Sequence, residues 1–328
     1  MLFENFVSLI DGQLANEPSI ASFTKVVFDA KKIKRGDLYL GDFKDIDEAL
    51  KNGAYGIVST KFKVKDKEIA WIKVKNLHDA KLKLLRYLVI KSDAYTIYLT
   101  PPQEKIAKAI QTDKVYYIDS DIDGAIKDLE QKEVEKLIVF CDEKIYQKLE
   151  LPSFKVMIKT KLNIIKSTTF LTTFLYNQTQ HRDIKLPELF MDDLEKVANL
   201  FDELKVGYSF EKLHFISHFK PLFLDSRYEL LSFGQSTKVV ILEHSLEFLY
   251  QELEYLKQKA SWAKVLLLAH HDIKLSKKLD IDIKYFKTFG DIEKLGIFNY
   301  NFVIMTDVEK GYEKYLQKKS KQIKNRLF

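Results

Sequence analysis

The chain has 328 residues, 46% of them hydrophobic, and a formal net charge of +6. That length suits two or three domains with packed cores, and no run of about 18 apolar residues signals a membrane span. A lone cysteine, Cys141, excludes an internal disulfide, and in the apolar run KLIVFCDE it reads as a structural thiol. The start, MLFENFVSLIDGQ, lacks the basic opening and small-residue cleavage site of a signal peptide, so a cytoplasmic location is expected. Arginine occurs only at Arg35, Arg86, Arg182, Arg227 and Arg326, and the lysines are interleaved with 47 acids. Solvated helix faces follow from that mixture. Phosphate readers favour arginine's two-pronged geometry, so nucleic acid is not expected as a partner; binding to an anionic surface or nucleic acid is kept only as a second alternative.

In chain order, short β-rich runs occur at Lys25–Phe28, Leu38–Leu40, Gly56–Ser59 and Ala70–Val74. Between them Ile46–Asn52 reads as a helix closed by Gly53, and His78–Ile90 as a helix with Leu82, Leu85, Leu88 and Val89 on one face. Strands are then expected at Tyr95–Leu99, Val115–Ile118, Lys136–Phe140 and Lys155–Lys159. Helices are expected at Gln103–Ala109, Ile122–Gln131 and Glu143–Leu149. The stretch from Ile164 to Tyr176 is apolar and Thr-rich, and fits strand or helix. Met191–Leu204 has a clear helical apolar face. Strands at Lys238–Leu242, Lys264–Ala269, Lys284–Thr288 and Phe302–Thr306 surround a helix at Leu246–Lys259. The basic tail YLQKKSKQIKNRLF reads as a solvated terminal helix. Alternating strands and helices of this kind define an α/β class with parallel, Rossmann-like sheets.

One stretch is more specific. Val26 to Thr60 read VVFDAKKIKRGDLYLGDFKDIDEALKNGAYGIVST. Asp29-Ala30-Lys31, a lysine-rich turn, Gly36-Asp37, the strand Leu38-Tyr39-Leu40 and Gly53-Ala54 follow one another. This order resembles the N-terminal domain of the Mur ligases, ATP-dependent enzymes that add amino acids to peptidoglycan precursors. The resemblance implies a multi-domain Mur-ligase-like architecture. Residues 1–92 would form a nucleotide-sugar-binding-like domain, 93–225 a shortened ATPase-like central domain, and 226–328 a C-terminal Rossmann-like domain.

In that family the second domain opens with a strand, a glycine-rich loop and Gly-Lys-Thr. Here the corresponding stretch, Thr96 to Ile110, reads TIYLTPPQEKIAKAI. A phosphate loop needs glycines that turn successive N–H groups inward, a lysine for the terminal phosphates, and a hydroxyl for magnesium. Pro101 and Pro102 lack N–H groups. Gln103 and Glu104 add bulk and negative charge. Lys105 is followed by Ile106 rather than by Ser or Thr. A strand and helix are expected here without ATP binding, and no cofactor, no metal and no catalytic residue is expected. The implied function is a catalytically degenerate, Mur-ligase-like binding or scaffold protein of peptidoglycan precursor synthesis. Its expected partners are a UDP-MurNAc-peptide or an active cell-wall ligase. The alternative is a residual ligase, or another enzyme, that binds UDP-MurNAc-peptide and acts through a site other than a phosphate loop.

Substrate-binding candidates are few. Asp29 and Lys31 occupy the positions of the family's nucleotide-sugar contacts, although Ala30 has no hydroxyl and Lys31 offers a point charge. Arg227, flanked by Asp225 and Glu229, could clamp an anion or form a local salt bridge. Glu243 and His244 end a strand of the third block, where ligands bind in parallel sheets. His270, His271 and Asp272 follow the next strand. Adjacent histidines on a strand face opposite ways, so these two could share a metal only across a turn. His214 and His218 read as packing residues.

Overall fold

The computed structural model describes residues 1–273, 281–306 and 311–326. They divide into two compact units, residues 1–101 with 113–155, and residues 102–112 with 156 onward.

The first unit opens with α1 (Phe3–Leu9), then β1 (Gln13–Leu14), β2 (Val26–Val27), β3 (Leu38–Leu40), α2 (Ile46–Lys51), β4 (Gly56–Ser59) and β5 (Ala70–Lys73). The five strands form one sheet in the order β1-β5-β4-β3-β2. All pairs are parallel except β1 with β5. Gly53 follows α2 at φ +90°, where a Cβ would come 3.3 Å from Arg35 Cα; the position therefore needs glycine. Then come α3 (Leu77–Lys91) and β6 (Tyr95–Tyr98). Asn76 caps α3 by accepting the His78 N–H at 2.8 Å, and Leu82, Leu85, Leu88 and Val89 point inward as their spacing predicts.

After β6 comes α4 (Pro101–Ile110), then β7 (Tyr116–Ile118), α5 (Ile122–Gln131), β8 (Leu137–Phe140) and α6 (Glu143–Leu149). Strands β6, β8 and β7 form a parallel three-stranded sheet. α3 packs against α5 and α6. One core therefore runs from Leu38, Leu40 and Ile72 of the first sheet, through Leu85, to Ile126, Ile138 and Phe140. That shared core makes residues 1–101 and 113–155 a single unit. The opposite face of the first sheet buries Tyr39, Ile57 and Trp71 against Ile46 and Ala49.

The second unit contains an antiparallel sheet of β9 (Asn163–Ser167), β10 (Thr172–Tyr176) and β11 (Thr179–Ile184). The undecided Ile164–Tyr176 stretch is thus two strands. Helix α7 (Met191–Leu204) follows. The strand expected at Lys155–Lys159 is absent. There the N–H groups of Lys159 and Thr160 both donate to Asn199 Oδ1 at 2.9 Å, so a buried side chain replaces a β-ladder.

The last sheet contains β12 (Lys220–Leu224), β13 (Leu230–Leu231), β14 (Val239–Glu243), β15 (Val265–His270), β16 (Asp282–Phe286) and β17 (Phe302–Thr306). Its order is β13-β12-β14-β17-β15-β16. β14, β17, β15 and β16 are parallel, and β12 is antiparallel to both its neighbours. α8 (Leu246–Lys259) crosses over after β14, with Ser245 capping it, and α9 (Tyr312–Arg326) closes the described chain. The expected terminal helix is present, although its last two residues lie outside the described ones. No helix among the described residues is long and apolar enough to cross a membrane.

Candidate functional site

The segment after β6 enters a helix directly. Pro101 and Pro102 form the first turn of α4, a position where a missing N–H costs nothing. Gln103 and Glu104 are buried. Gln103 Nε2 donates to Asp193 Oδ1 of α7 at 2.8 Å. Burial raises the Asp193 carboxyl above its usual range, with Gln103 pulling against it. Burial also works against the charge of Glu104, but hydrogen bonds from Lys108 and Lys105 outweigh it and hold that carboxyl low. Lys105 lies 3.1 Å and Lys108 2.5 Å from Glu104. The far end of the helix is tied down as well: Ser209 N–H donates to Ile110 C=O, and Thr112 N–H to Gly207 C=O, both at 2.8 Å. These side chains occupy the start of the helix and pair with one another there.

Asp29 and Lys31 sit in a short turn after β2. Asp29 Oδ1 accepts the Lys31 N–H at 3.1 Å, and Asp29 Oδ2 pairs with Lys32 at 3.4 Å. Asp29 thus caps a helical turn, and Lys31 is solvent-exposed. The same unit holds a cleft of about 850 Å³ whose walls include Phe23, Lys25, Tyr87, Lys91, Glu130 and Lys132. Neither Asp29 nor Lys31 lines it.

In the second unit Arg227 lies in the β12–β13 turn. The Asp225 carboxylate accepts the N–H groups of Arg227 and Glu229, each at 2.8 Å. Among the described residues Arg227 makes no ion pair with either acid. β12 runs antiparallel to β14, pairing Phe223 with Val239 and Lys220 with Leu242. That register places the Arg227 turn beside the start of β14, and Glu243 and His244 at its end. The structure therefore separates Arg227 from Glu243 and His244.

Glu243 itself is 1% exposed. His218 Nδ1 meets its Oε1 at 2.9 Å, and the N–H groups of Ser245 and Phe219 donate to Oε1 and Oε2 at 2.6 and 3.3 Å. Phe219 adopts φ 51° beside it. Glu252, from α8, is fully buried near the same group, and no hydrogen bond of ordinary geometry reaches either of its oxygens among the described residues. Burial first, and then the Glu243 charge, raise the Glu252 carboxyl far above its usual range. Burial also opposes ionisation of Glu243, but the hydrogen bond to His218 prevails and holds it low. The arrangement is one carboxylate and one carboxylic acid beside a histidine. His218 read as packing in the sequence; it is buried, and it is also the partner of Glu243. No spacing signal links it to Glu243 or Glu252. His214 is exposed and lies outside any helix.

His270 ends β15 on the same edge of the sheet as Glu243, and the chain turns at His271 and Asp272. That turn brings the two imidazoles to one side, with ring centroids 4.6 Å apart.

No protein-family model matches this chain, and no curated protein matches it either. Solved structures do. MurF from Acinetobacter baumannii aligns with a TM-score of 0.60 at 10% identity, over 96% of this chain and 98% of that one. MurF ligase from Thermotoga maritima in complex with ADP gives 0.59 at 11% identity, over 90% and 98%. UDP-N-acetylmuramoylalanyl-D-glutamyl-2,6-diaminopimelate–D-alanyl-D-alanyl ligase from Acinetobacter baumannii gives 0.59 at 10%, over 96% and 98%. The fold is the multi-domain α/β architecture of the Mur ligases. At such identity the likeness defines fold, and function has to be argued from the site.

Proposed function

We propose that this protein is a Mur-ligase-like protein without ATP-dependent activity, acting as a binding or scaffold component of peptidoglycan precursor synthesis. The observation that carries this reading is the start of α4. Two prolines replace N–H donors there, Gln103 is bonded to Asp193, and the Glu104 carboxylate is taken up by Lys105 and Lys108. Anion binding at a helix start depends on free, inward-facing N–H groups and a cation for phosphate. Here two of the four N–H donors of the first turn are missing and the cations are engaged. The context of precursor synthesis is supported by the likeness to the UDP-N-acetylmuramoylalanyl-D-glutamyl-2,6-diaminopimelate–D-alanyl-D-alanyl ligase, whose name carries a UDP-muramoyl peptide.

Asp29 and Lys31 remain our proposed contacts for a nucleotide sugar, with Glu243 and His244 as further proposed contacts in the second unit. A second reading, a residual nucleotide-sugar-binding enzyme, draws on the lysine-bearing cleft of the first unit, which is large enough for a nucleotide-sized ligand. The distance between Arg227 and Glu243 along β14 weighs against a joint catalytic cluster. The test is a thermal-shift titration with UDP-MurNAc-peptides, with Lys31→Ala alongside. Stabilisation that Lys31→Ala weakens supports a live receptor on a silent ligase. Stabilisation that Lys31→Ala leaves untouched moves the ligand to the cleft. No stabilisation leaves scaffolding of an active ligase, tested next by co-purification with that ligase.

A further inference from the structure

We propose that His270, His271 and Asp272 form a binding site for a divalent transition metal of the zinc class. The expectation against a metal here rested on alternation along a strand. β15 ends at His270, and the turn that follows removes that objection. One nitrogen from each imidazole and a carboxylate oxygen all lie within 4.8 Å of one another. His270 Nδ1 is 3.4 Å from Asp272 Oδ2, and His271 Nε2 is 3.1 Å from Asp272 Oδ1. Tetrahedral zinc with bonds of roughly 2.0–2.1 Å needs ligand atoms about 3.3 Å apart. The two measured separations, one to each carboxylate oxygen, are close to that edge length.

The orientation of His270 adds an independent argument. Its Nε2 lies 3.2 Å from the Lys287 carbonyl. A carbonyl oxygen only accepts, so Nε2 carries a proton, and in the neutral ring Nδ1 carries the lone pair. A ligating histidine is ordinarily held this way, with its second nitrogen donating to a backbone carbonyl. The Asp272 N–H approaches Nδ1 at 3.5 Å, too long to compete with a metal. The ring stands edge-on to Phe286 at 5.4 Å, and the His270 N–H donates to the Thr306 hydroxyl of the neighbouring strand at 3.2 Å. The first ligand is thus fixed by the sheet, while His271 and Asp272 are exposed and able to close on an ion. Two imidazoles and one carboxylate select zinc-like ions over magnesium or calcium, which prefer all-oxygen sets. Three protein ligands leave a fourth position for water or for a group on a partner.

The bland alternative is a pair of surface His–Asp contacts with no ion. Calorimetric titration of Zn²⁺ into the full, tag-free chain separates the two. One equivalent is expected to bind. His271→Ala and Asp272→Asn should each weaken it at least tenfold, since loss of even an outer partner of a ligand costs roughly 10–100-fold. His181→Ala, at a histidine paired with Glu211 elsewhere in the second unit, should leave it unchanged. Thermal melts without metal verify that the exposed-site variants fold. X-ray absorption on the loaded chain should show a nitrogen and oxygen shell at roughly 2.0–2.1 Å with imidazole scattering. Absence of saturable one-to-one binding, or wild-type affinity in His271→Ala, overturns the proposal.

Discussion

Replacing Glu252 with glutamine is expected to stabilise the protein at neutral pH and to leave it nearly unchanged in acid. Glu252 is completely buried and unbonded beside the Glu243 carboxylate. Its folded carboxyl is raised well above the usual range by burial and by Glu243, whereas an unfolded glutamate titrates near roughly 4.3. A raised group contributes stability that is fully present below the unfolded value and is lost as pH rises through the folded one. Between those two values the loss is about 1.4 kcal/mol per pH unit for one proton. Glutamine keeps the shape, carries no proton to lose, and can donate to Glu243. The difference between variant and wild type should therefore be near zero at pH 4 and open upward from there with at most that slope. Urea unfolding followed by circular dichroism between pH 4 and 8, with the m-value held as a control, measures it. Parallel stability curves for the two proteins, or a less stable Glu252→Gln at pH 7.5, would refute the buried-pair assignment.

Other perturbations test the fold around the site. Asn199 accepts the N–H groups of Lys159 and Thr160, and its own amide donates to Thr160 and Glu195 carbonyls. Asn199→Ala should cost about 2–4 kcal/mol by orphaning several buried groups, and hydrogen exchange at Lys159 and Thr160 should accelerate. Gly53→Ala should cost about 1–2 kcal/mol in a thermal melt, because its left-handed backbone and the nearby Arg35 both disfavour a Cβ.

The α/β alternation was legible because its signals are local. α3, α5, α6, α7 and α8 have capping residues or clean apolar faces, and their edges fell within about two residues of the expected ones, the ordinary uncertainty of helix ends. The antiparallel β9–β10–β11 sheet was not legible, since the β9 residues are largely exposed and their apolar alternation carries no burial information. β12 was hidden by Pro221, which normally argues against an interior strand; here it pairs opposite Ile241. The single unit formed by residues 1–101 and 113–155 rests on α3 packing between two sheets, a long-range contact that periodicity does not encode. Glu243 was singled out from its place at a strand end. His218 and Glu252 meet it only through folding, one from a loop before β12 and the other a turn and a half into α8. The turn at His271 escaped because nothing in the sequence marks it as a glycine or proline would.

A thermal-shift titration with ATP-Mg tests most directly whether the start of α4 binds ATP. A micromolar site at millimolar ligand would add about 4 kcal/mol by mass action, a rise of several degrees in melting temperature for a protein of this size. No shift is expected up to millimolar ATP-Mg. A saturable rise that corresponds to micromolar affinity, and that Lys105→Ala abolishes, would contradict that expectation and restore an ATP-dependent ligase.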